Sequence, residues 1–119
     1  MDPVDMPSYI PSMEYLESSS IREKLYKAFI TRGSKAGKDN QEIISEILTL
    51  RKEMSALLGF SNYAELSLAS KMAPSVEAVN SLTKMLIEKG KPFAMQEISD
   101  LKQFAGTDVK HWDVSYWSN

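Results

Sequence analysis

Apolar residues recur along this chain at intervals of three and four, and strict alternation never persists between turn residues. That pattern predicts helices and no strands. Tyr9, Ile10, Met13 and Leu16 form the first set, just after Pro7, a residue suited to an opening helical turn. Ile21, Leu25, Ala28 and Phe29 form the second. Ser20 stands three residues before Glu23, the spacing of a capping box, and Gly33 closes the run. Asp39 repeats that spacing before Glu42 and leads into the widest apolar face, from Ile43 through Ile47, Leu50 and Met54 to Leu58. Gly59 falls where a left-handed helix cap is expected. Ser61 is then the expected cap of a helix carrying Tyr63, Leu66, Leu68 and Met72, which Pro74-Ser75 ends. From Val79 through Leu82, Leu86, Phe93, Ile98 and Leu101 to Phe104 the spacing stays helical, but Gly90 and Pro92 interrupt it. Proline removes one backbone bond and clashes with the preceding turn, so a kink or short break is expected there. The fold class is therefore all-α, about five helices in a single segment over residues 1–119, with no internal repeat.

Composition adds limits. Hydrophobic residues make up 43% and charged residues 25% of the 119, ordinary globular values that argue for one core of modest size. A formal charge of -2 gives no whole-chain attraction for nucleic acid or anionic lipid, and no apolar stretch is long enough to span a membrane. The opening Met1-Asp2-Pro3-Val4-Asp5 is acidic and argues against a signal peptide, which fits a cytoplasmic protein. A mitochondrial or plastid location follows instead if a targeting segment belongs upstream. Trp112, Tyr116 and Trp117 crowd the last eight residues, and large aromatics need a surface to bury against. They imply further chain or a partner, or else they fold back on the helices.

The chemistry is narrow. With one histidine, His111, and no cysteine, a zinc site with two or more such ligands is impossible within this chain, and no H-E-x-x-H helix occurs. A nucleophilic mechanism would require His111 as base with Asp108 or Asp113 orienting it, beside bulky Trp112. The residues favour a surface histidine. Gly33-Ser34-Lys35-Ala36-Gly37-Lys38-Asp39 approaches a phosphate-binding loop, yet its glycines are too close and Asp39 stands where Ser or Thr is required. Without interleaved aromatics, Arg32, Lys35 and Lys38 read as a solvated basic loop, not a nucleic-acid patch. No catalytic, metal-binding or cofactor-binding residue is assigned.

Four stretches, in order, resemble the thimet oligopeptidase and oligopeptidase A family of zinc metallopeptidases. They are Arg22-Glu23-Lys24-Leu25-Tyr26-Lys27-Ala28 with Thr31-Arg32, Asp39-Asn40 with Ile43-Ile44 and Glu46-Ile47-Leu48, Leu57 to Ala69 with Lys71-Met72-Ala73, and His111-Trp112-Asp113 with Tyr116-Trp117-Ser118. The third is similar almost letter for letter, and the tail looks most like the plant branch. The resemblance implies part of the N-terminal, helical lobe of a two-lobed peptidase that admits short unfolded peptides to a deep channel. It also implies zinc in the full-length family, on an H-E-x-x-H helix with no matching position here. What carries over is channel scaffold, inactive alone, whose partners are the remainder of the peptidase or short peptides. The alternative is a free-standing helical interaction module, with self-association through exposed apolar faces.

Overall fold

The computed structural model describes residues 5–119, so the reading of Met1 to Val4 lies outside the described residues. Six helices follow in chain order: α1 (Met6–Tyr15), α2 (Ser19–Ile30), α3 (Gln41–Leu57), α4 (Tyr63–Leu68), α5 (Val76–Ala105) and α6 (Val114–Ser118). There is no strand among the described residues. The sixth helix is the short tail that carries Tyr116 and Trp117.

Local chemistry explains the boundaries, and it shifts several expected caps. Asp5 caps α1 by accepting from the backbone N–H of Ser8 at 3.0 Å, with Pro7 in the first turn. Ser20 is not a cap. Helix α2 already begins at Ser19, and the Ser18 hydroxyl pairs with that of Ser20 at 3.0 Å instead of a backbone donor. Asp39 does serve the start of α3, accepting from Gln41 N–H at 3.1 Å. Ahead of α4 the cap is Asn62, not Ser61: its side chain accepts from Glu65 N–H at 3.0 Å, while the Glu65 carboxylate accepts from Ser61 N–H at 3.2 Å. This is a capping box displaced by one residue.

Gly59 stands just past α3 with φ 81°. Its N–H donates to Ala56 O at 3.1 Å and that of Phe60 to Ser55 O at 2.9 Å, a complete Schellman closure. Helix α5 has no break of the kind expected as one outcome at Gly90 and Pro92. It runs unbroken for 30 residues through Gly90 and Pro92. Proline forfeits a single backbone bond, and thirteen or more helical residues on each side hold the ladder.

The chain forms two compact units. One joins the stretch through Lys38 to Phe93–Asn119, and the other is Asp39–Pro92. In the first, α1 packs on α2 and α6; in the second, α3 packs on α4. The expected core is the main correction. Met13 is the one buried hydrophobic side chain among the described residues, beside buried Arg22, Ser55 and Asp113. Every residue from 34 to 54 and from 79 to 100 is exposed. The apolar faces form as the periodicity predicts, but among the described residues no second layer of helices covers them.

Candidate functional site

The most heavily bonded site lies in the first unit, around Arg22 on α2. Its guanidinium is buried at 2% exposure. Nη2 donates to Asp113 Oδ1 at 2.6 Å; Nη1 donates to Glu17 O at 3.1 Å and also to Leu16 O. Leu16 caps α1, so Arg22 also satisfies a carbonyl at that helix end. The guanidinium carbon, Cζ, lies over the Tyr116 ring, 4.1 Å from its centroid. Its Nε, also buried, has no hydrogen-bond partner among the described residues.

Asp113 collects the remaining donors. Ser19 Oγ donates to Oδ1 at 2.6 Å and Lys110 N–H to Oδ2 at 3.3 Å, while Trp112 Nε1 donates to Ser19 Oγ at 3.2 Å. Burial pushes the Asp113 carboxyl up, but the hydrogen bonds from Ser19, Arg22 and Lys110, with the Arg22 charge, bring it below its ordinary value. Two residues far apart in sequence are thereby held as one ion pair.

Aromatic rings complete this corner. Trp112 lies 5.9 Å from Tyr26, and Trp117 meets Phe104 and Tyr116 edge-on at 6.4 and 5.2 Å. The aromatic tail folds back on the helices of this unit, with all three rings half-buried. An open cavity of about 630 Å³ borders Arg22, Trp112, Asp113, Tyr116 and Trp117. In the second unit a cavity of about 490 Å³ lies between Phe60, Leu68, Ala73 and Pro74.

His111 is exposed and stacks against Tyr26 with centroids 6.2 Å apart. Both carboxylates considered as its partners are committed to cations. Asp113 holds Arg22, and Asp108 is held by Lys110 at 2.5 Å and Lys102 at 3.0 Å, which bring its carboxyl down to about 2. No group of three His, Asp or Glu side chains is placed to hold a metal among the described residues. In the basic loop, Arg32 turns back on Phe29, donating to its carbonyl at 3.2 Å with the guanidinium 3.9 Å over its ring. What sequence reasoning missed is the Arg22–Asp113 pair. The available signal was that both residues fall inside the motif stretches at opposite ends of the chain.

The description of Peptidase family M3 matches residues 12–119. The chain is 42% identical to Oligopeptidase A of Haemophilus influenzae over 97% of its own length and 18% of that protein. It is 41% identical to the probable cytosolic oligopeptidase A of Arabidopsis thaliana, covering 97% of this chain and 17% of the relative. For the organellar, chloroplastic/mitochondrial oligopeptidase A of the same plant the identity is 40%, over 97% and 15%. The chain thus spans less than a fifth of the length of these curated relatives. Among the described residues no helix is long and apolar enough to cross a membrane.

Proposed function

This chain belongs to peptidase family M3, and from that membership we propose that it supplies part of the helical scaffold of a zinc-dependent oligopeptidase that degrades short peptides. The observation that carries the reading is identity of 40–42% sustained over 97% of the chain with proteins named as oligopeptidases A. Zinc, in such an enzyme, would polarise a scissile carbonyl and activate water. The residues here do not fit that ion: one exposed imidazole and no thiol are too few donors. Catalysis therefore belongs to other parts of such an enzyme, and these helices would shape and limit its channel. In the isolated chain no peptide cleavage is expected. Relatives named cytosolic and organellar support a location in one of those compartments.

Two measurements test this. The purified chain, incubated with quenched short peptides and excess zinc, is expected to show no chelator-sensitive cleavage; cleavage at a useful rate would overturn the assignment. A chimera of the Haemophilus enzyme carrying this chain in place of its homologous stretch is expected to stay active. A folded but inactive chimera would count against the scaffold role.

A further inference from the structure

Helix α3 presents Ile43, Ile47, Leu50 and Met54 on one face within the second unit. They are 55%, 42%, 55% and 42% exposed. Helix α4 packs on α3, and Ser55, 1% exposed, is the one buried residue of α3, so the face named here is left bare. Val79, Leu82 and Leu86 continue the pattern along the first turns of α5, of which no residue is buried. The chain exposes 9506 Å², whereas two separate compact bodies of half its 13.4 kDa would together expose ~7,800 Å².

We propose that these α3 and α5 faces form a docking surface for the remaining helices of an M3 oligopeptidase, recognised in trans when the two are separate polypeptides. The proposal rests on the family reading above. One observation chooses this occupant over a second copy. The matched stretch is 18% of the Haemophilus protein, so its relatives carry a large body of further chain. Apolar side chains left bare along a helix face in this number mark an interaction site.

To test it, the full chain is co-expressed with Haemophilus oligopeptidase A from which the homologous stretch has been deleted. A 1:1 complex on size exclusion with light scattering is expected. Leu50→Glu and Leu86→Glu, both at exposed positions, should weaken it by about 30-fold or more while leaving the circular dichroism of the chain unchanged. If the deleted enzyme is insoluble alone, its rescue into the soluble fraction by the wild-type chain, and not by the Leu50→Glu variant, is the readout. Absence of both complex and rescue, while the chimera described above is active, overturns trans docking and leaves the family role standing. A homodimer that Leu50→Glu disperses, formed in preference to the complex, overturns it as well.

Discussion

Arg22 illustrates how one side chain can organise a unit that has little hydrophobic core. Charges this deeply buried are held only when their donors find partners, and Asp113 with two carbonyls meets most of that demand. Asp113→Ala would leave the guanidinium buried without its counter-charge, at a cost of about 3–5 kcal/mol. Urea unfolding followed by the fluorescence of Trp112 and Trp117 checks this. Replacing both members with apolar residues, Arg22→Met with Asp113→Leu, is expected to recover most of the loss. The acid response follows from the same pair. The folded Asp113 carboxyl lies below its ordinary value of 3.8, so its stabilisation is complete above that value and is lost as pH falls through the lowered one. An acid titration should therefore show the Trp signal loosening below about pH 4, and Asp113→Ala should remove that step. Asp108 behaves otherwise. Exposed between Lys102 and Lys110, it should titrate near 2 by carboxyl NMR, move back toward the ordinary range in high salt, and add little stability.

At the level of single helices, periodicity made most of the fold legible. The intervals of three and four from Tyr9 to Phe104 locate α1 to α5, although α4 ends at Leu68, short of the Met72 expected within it, and Gly59 marks a left-handed cap because no other residue reaches φ 81° without strain. The caps were legible only to within a residue, since Ser61 and Asn62 are both good cap residues and the choice depends on where Glu65 reaches. No break forms at Pro92: a local rule about one lost bond cannot weigh the long ladders on either side of it. The ion pair of Arg22 with Asp113 was illegible for another reason: no periodicity links residues so far apart. Three substitutions probe this level by thermal melts. Gly59→Ala meets no atom within 4 Å, so its expected penalty of about 1–2 kcal/mol is purely one of backbone conformation. Asn62→Ala should cost about 1 kcal/mol by removing a cap. Pro92→Ala should stabilise α5 and raise its helicity, because interior proline is about 3 kcal/mol worse than alanine.

For the molecule as a whole, family membership was legible from the ordered motifs, whereas the shortage of buried apolar surface was not, because composition counts apolar residues without saying what covers them. With Met13 the one buried hydrophobe among the described residues, the isolated chain should bind an apolar dye such as ANS strongly. Both tryptophans lie in the unit that contains Arg22, while α3 and α4 lie in the other. Urea unfolding is expected to give non-coincident transitions by tryptophan fluorescence and far-UV circular dichroism. Superimposable curves would mean that the two units melt as one.

The first unit is assembled from segments at both ends of the sequence, whereas Asp39–Pro92 is continuous. On the ribosome, then, α3 and α4 can form while Arg22 is still waiting, and only the emergence of Asp113 gives that cation its anion. Until that moment α2 carries an unmatched charge, and the early helices must remain hydrated. Moving Asp113 next to α2 by circular permutation should therefore speed formation of the first unit, since it shortens the loop that must close.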